Sequence, residues 1–206
     1  MGIFSGICSF VGGICSSIGG AIGGICSAVS GALSLLTGGV ASAVIGLVMG
    51  LGKILGKVDE DEKPEELGMK AAKAEKKLED FDNFDEYKSY LNSIELTDED
   101  RKEIDKHKEE YAHIGTGVCL QGVNECYSHP MSIDDLISLQ KMGIDKPEEI
   151  KTFLDNCEKK NIKPSVNSLV TGKNITRQES DKVLGILNST FEKMENSKLF
   201  DEVLKK

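Results

Sequence analysis

The chain has 206 residues, 34 acidic and 25 basic side chains, and 39% hydrophobic residues, which suits one or two globular domains. Its net charge of −9 and lack of a basic patch argue against nucleic-acid binding, which needs cations set against phosphates. Six widely spaced cysteines do not make a small disulfide framework.

These averages conceal two unlike parts. Met1 to Gly52 contains no Asp, Glu, Lys, Arg or His, and Lys53 and Lys57 are the first charges. Fifteen of the 22 glycines fall before Val58. From Val58 on, 34 acids face 23 bases, a net charge of −11. The opening does not read as a secretory signal, because no base precedes the apolar run and the run is too long. The chain is therefore expected to be made in a bacterial cytoplasm without a Sec signal.

At about 100° per residue, Ile3, Ile7, Val11, Ile14, Ile18, Ile22, Ile25, Val29, Leu33 and Leu36 share one helical arc. Gly, Ser and Cys occupy the opposite arc, with Ser9, Ser16, Ser27 and Ser34 along one edge. In water each glycine costs a helix about 1 kcal/mol relative to alanine. In a bilayer the backbone has no water to turn to, so a helix is enforced. Small-xxx-small spacings let membrane helices approach closely. Gly12, Gly19, Gly20, Gly23, Gly24, Gly46 and Gly50 are the expected helix-packing positions, and Ser9, Ser16, Ser27 and Ser34 the expected pore-lining ones.

A span needs about 20 residues, and "LTGGV" at Leu36–Val40 is the best turn. The expectation is a transmembrane helical hairpin over residues 1–57, with arms Ile3–Leu36 and Val40–Gly56, and with Lys53 and Lys57 at the water interface. The long first arm tilts, breaks near Gly12–Gly13 or begins on the surface. A plain membrane anchor and a hairpin buried in a soluble assembly remain alternatives, since periodicity does not separate a buried helix from a spanning one.

The charged stretch 58–66 reads as a linker, and 67–206 as an acidic, soluble, helical domain. The whole chain is thus expected to be all-α. Pro64 opens a helix running to Asp80. Thr97 caps another, with three acids in its first turn, that Gly115 ends. Ser132 with Asp135 and Thr176 with Glu179 resemble capping boxes. Pro147 and Pro164 sit near further helix starts. One or two closing helices follow, with Val183, Leu184, Leu187 and Phe191 turned inward.

Chemistry is sparse. His113, Cys119, Cys126 and His129 are soft donors of the type that binds zinc, but they lack the close first pair of a zinc motif. Cys–His nucleophilic chemistry lacks an evident orienting group, and Gly172–Lys173 lacks the upstream glycine of a phosphate loop. No enzyme activity and no cofactor are expected.

The uncharged Gly/Ala/Ser/Ile segment, with its overlapping GxxxG spacings and small companion domain, resembles the glycine-zipper, membrane-permeabilising effectors of bacterial type VI secretion. The resemblance covers residues 1–57. It implies a pore-forming toxin that oligomerises through its small-residue face in the inner membrane of a target cell and dissipates ion gradients. It also implies an immunity protein and a chaperone or secretion carrier. Phage DNA-ejection or pilot proteins begin with similar segments and are the alternative; a membrane-anchored interaction protein is another. An apolar face this long is an aggregation hazard in water, so something must cover it: a carrier lumen, a chaperone or the protein's own helical domain.

Overall fold

The computed structural model describes residues 11–16, 18–37 and 39–204. The fold is all-α. The chain divides between Cys126 and Tyr127 into two compact units. The first contains a helical turn at 11–16, then α1 (Gly20–Leu33), α2 (Val40–Ile54), α3 (Pro64–Lys73), a 3-10 turn (Leu78–Asp80), α4 (Phe84–Asn92), α5 (Asp98–Lys106) and α6 (Lys108–Asn124). The second contains α7 (Ile133–Lys141), α8 (Pro147–Lys159), α9 (Val166–Thr171) and α10 (Arg177–Leu204).

The division does not fall in the charged stretch 58–66, and this corrects the expected domain boundary. That stretch is pinned inside the first unit. Val58 is buried, Lys53 donates to the Glu60 carbonyl at 2.5 Å, Lys88 pairs with Asp59 at 2.7 Å, and Lys70 pairs with Glu62 at 2.7 Å. The apolar hairpin and the charged helices after it build one core.

At the centre of that core lies α6. Residues 111–120 are all buried, as expected of a helix that is apolar or small on every side. Helices α1, α2 and α3 pack around it. The expected stop at Gly115 is therefore overturned: the break falls at His107 (φ −128°, ψ 42°), and α6 runs on through Gly115 to Asn124. The cost of a glycine inside a helix is offset here by close contact with a neighbouring backbone. The helix expected over 65–80 also ends early, at Lys73. The Tyr90 hydroxyl accepts from the Glu75 and Lys76 amides at 3.0 and 3.3 Å, so tertiary contacts replace the next helical turn.

Local signals fare better. Thr97, Ser132 and Thr176 each exchange hydrogen bonds with the acid three residues on. Pro64 and Pro147 occupy the first helical positions of α3 and α8. In the second unit α9 packs on α7 and α10 on α8. Val183, Ile186 and Leu187 bury the inner stripe of α10, while Leu184, expected inside, is exposed and Phe191 is half-buried.

Candidate functional site: the hairpin and its central helix

The hairpin forms where the turn is expected. Leu33 ends α1, Gly39 adopts a left-handed conformation (φ 82°), and α2 begins at Val40. The first arm is not continuous. The turn at 11–16 is set off from α1 by a bend at Gly19, just before α1, and Gly20, its first residue, both at positive φ (68° and 53°). The bend is thus several residues beyond the expected Gly12–Gly13. Ile3, Ile7 and Ser9 lie outside the described residues.

The arms measure 14 and 15 residues, about 21 and 22 Å at 1.5 Å per residue, against a hydrocarbon core of about 30 Å. Among the described residues no helix is long and apolar enough to cross a membrane.

The faces of the hairpin are sorted differently from expectation. Val11, Ile18, Ile22, Val29 and Leu33, from the bulky arc, are buried within the first unit. Cys15, Gly23, Cys26 and Ser30, from the small arc, are buried beside them. Ser16 and Ser27 are exposed and Ser34 half-buried. Ser16 and Ser34 each donate to their own helix, to Gly12 O and Ser30 O, both at 2.7 Å.

Of the seven glycines expected at helix contacts, Gly23 packs against the Cys15 carbonyl. A β-carbon added at Gly12, Gly24 or Gly46 would meet nothing within 4 Å. Gly19 and Gly20 lie against the Lys77 and Glu79 side chains. Gly50 is half-buried. The close contacts are made elsewhere. Gly117 of α6 meets the Cys26 backbone of α1, Gly52 of α2 meets Cys119 of α6, Gly122 meets the Phe84 ring, and Gly68 of α3 meets Gly115 of α6. The sequence signal for these is the small-residue spacing of "GTGVCLQG", which the soft donors around it obscure.

Polar groups fasten the dock. Ser30 Oγ and His113 Nδ1 share a hydrogen bond at 3.4 Å. The Cys26 thiol donates to Ile114 O at 3.3 Å and the Cys119 thiol to Val48 O at 3.4 Å. Burial lowers the pKa of His113, and Glu109 and Glu110 oppose that more weakly. Burial lifts the Cys119 thiol to about 12. Lys53 holds the Glu60 carbonyl and Lys57 pairs with Asp85 at 2.8 Å.

The four soft donors do not gather. His113 and Cys119 are six residues apart on α6, about 9 Å along its axis, and each is engaged by a different arm of the hairpin. Cys126 is exposed at the end of the first unit. His129 belongs to the second unit, where its Nε2 meets Asn161 Oδ1 at 2.9 Å. Among the described residues no group of three or more His, Cys, Asp or Glu is placed to hold a metal ion.

Outward, the hairpin differs from an ordinary surface helix. Gly20, Gly24, Ser27, Ala28 and Gly31 of α1, with Ser42, Ala43 and Gly46 of α2, are exposed and uncharged. Leu35 at the tip is 81% exposed. No protein-family model, curated protein or solved structure matches this chain.

Proposed function

We propose that this protein is a conditional membrane inserter: a bacterial pore-forming effector of the type VI kind whose hairpin is stowed on its own central helix before it meets a bilayer. The observation that carries the proposal is the uncharged outer face of α1 and α2 with the exposed Leu35 tip. A helix that only served the fold would carry Lys and Glu on its water side. The lipid-compatible surface is already on the outside, and the inner surface is covered by α6.

The stowed arms are too short to span, so insertion requires rearrangement. Straightening the chain at Gly19 joins 11–16 to α1 and gives a helix of residues 11–33, about 35 Å long, enough for one crossing. Released from α6, Cys26, Ser30 and Gly23 become the small-residue face on which copies assemble, with Ser16, Ser27 and Ser34 on its edge. α6 supplies the cover that a carrier would otherwise provide, while an immunity protein and a secretion carrier remain expected partners.

The test is a leakage assay with the purified full chain and vesicles of mixed zwitterionic and anionic phospholipid loaded with a self-quenched dye. Dye release, with the protein floating with the vesicles, supports the proposal. Expression in cells should then depolarise the inner membrane and stop growth. Binding without leakage would make it an anchor. Recovery wholly in the soluble fraction without leakage would end the membrane proposal and favour a virion or scaffold component.

A further inference from the structure

The joint between the turn at 11–16 and α1 holds two thiols. Gly19 N donates to the Cys15 carbonyl at 3.0 Å, and that same carbonyl lies against Gly23. Gly23 and Cys26 are three residues apart on one face of α1, so the fold-back lays Cys15 beside Cys26. The two side chains are near enough to act on each other electrostatically. Cys15 is 3% exposed and Cys26 fully buried. Both are free thiols.

We propose that Cys15 and Cys26 are a redox clasp, closed to an intramolecular disulfide by a low-molecular-weight disulfide oxidant and open in the reduced protein. The geometry makes the bond specific to the stowed form. A disulfide needs Cα atoms about 4.4–6.8 Å apart. In a continuous helix over 11–33 the two residues stand eleven positions, about 16 Å, apart along the axis, where no disulfide can form. The clasp and the straightened arm therefore exclude each other, and only the reduced chain can extend.

The chemistry balances by thiol–disulfide exchange. After local opening of the 11–16 turn, the Cys15 thiol loses its proton and its thiolate attacks one sulfur of the oxidant. The oxidant's S–S bond breaks and one thiolate leaves, taking up a proton. Cys26, deprotonated in turn, attacks Cys15 in the mixed disulfide and expels the second small thiol. Two protein thiols are oxidised and one small disulfide is reduced to two thiols.

The consequence for insertion rests on the proposed function, and the experiment separates the two. The full chain carrying Cys8→Ser and Cys126→Ser is incubated with glutathione disulfide under native conditions and examined by intact mass and peptide mapping. The expected result is a loss of two hydrogens, mapped to Cys15–Cys26. It should be absent when Cys15→Ser or Cys26→Ser is added, with circular dichroism confirming that these variants fold. Oxidation should lower vesicle leakage at least about tenfold, since the cross-link holds the stowed ensemble, and dithiothreitol should restore it. A glutathione adduct without ring closure, a bond to Cys119 or Cys157, or no oxidation overturns the clasp. Closure with equal leakage from oxidised and reduced protein overturns its control of insertion. Closure with no leakage from either form leaves the clasp standing and removes the pore.

Discussion

Gly68 of α3 and Gly115 of α6 meet backbone to backbone: a β-carbon on Gly68 would stand 3.0 Å from the Gly115 nitrogen, and one on Gly115 would stand 2.9 Å from the Gly68 nitrogen. Each would also strike a carbonyl oxygen, of Tyr111 and Pro64 respectively. Neither obstacle is a flexible side chain, so the helices can accommodate a methyl only by moving apart.

Gly115→Ala should therefore destabilise the first unit, although alanine is the better helix former by about 1 kcal/mol. Overpacking of this kind costs about 1–3 kcal/mol. Gly46→Ala, where nothing lies within 4 Å, should instead gain up to about 1 kcal/mol from propensity alone. Urea unfolding of the two variants should shift midpoints in opposite directions. Equal shifts would mean that α3 and α6 do not pack this closely.

His113 makes the dock sensitive to acid. Burial lowers its pKa below the usual 6.5, so the unfolded chain takes up the proton first. Stability is unaffected by this group at high pH. It falls as pH drops through about 6.5, with a limiting slope of about 1.4 kcal/mol per pH unit until the folded-state value is reached. Asp100, held low chiefly by its hydrogen bond from Lys73, titrates only in more acid solution. Comparing urea midpoints at pH 7.5 and 5.5 should show a loss that His113→Gln largely removes. The same acidification should speed vesicle leakage by the wild-type chain.

Asp135 ties two helix starts together in the second unit. Its carboxylate accepts from the Ser132 amide at 3.1 Å and hydroxyl at 2.6 Å, and from the Asn167 amide at the start of α9 at 2.8 Å. Asp135→Ala removes a cap and leaves a partly buried amide without its acceptor, a cost of about 2–3 kcal/mol. Asp135→Asn keeps an acceptor and should lose less. Thermal unfolding of the two variants checks the order.

What is legible in the sequence is local. Thr97, Ser132 and Thr176 announce helix starts because the bonds they make lie within three residues. Paired glycines mark the hairpin turn because Gly39 needs a positive φ there. What is not legible depends on distant partners. Glycine spacing in α1 and α2 does not say which glycines lie at close contacts: Gly23 packs on the Cys15 carbonyl and Gly52 on Cys119 of α6, whereas Gly24 and Gly46 meet nothing within 4 Å. Gly115 looks like a stop because propensity weighs only its own helix, while the residue that occupies the space it leaves is Gly68. His113 and Cys119 resemble ligands because two buried polar side chains six residues apart carry no sign in the sequence that each fastens a different helix.

The two-unit organisation leads to a last prediction. If α6 is the core that the hairpin covers, removing residues 1–57 should uncover Ile114, Val118 and Cys119, which are fully buried in the intact chain. The rest of the first unit would retain α3 against α6, but on one side only. The fragment 58–206 should then bind a hydrophobic dye, lose near-ultraviolet dichroism and unfold without a sharp first transition, as expected of loosely packed helices. The second unit begins at Tyr127 and keeps its own core of Leu136, Leu139, Ile150, Phe153 and Ile186. The fragment 127–206 should thus remain helical and melt cooperatively. Calorimetry of the intact chain and both fragments distinguishes the cases. A cooperative, dye-silent 58–206 would mean that the hairpin is an appendage to a self-sufficient domain. Loss of order confined to residues 58–126 would mean that the hairpin is half of the first core, and that it cannot leave for a membrane without α6 finding new cover in lipid or in other copies.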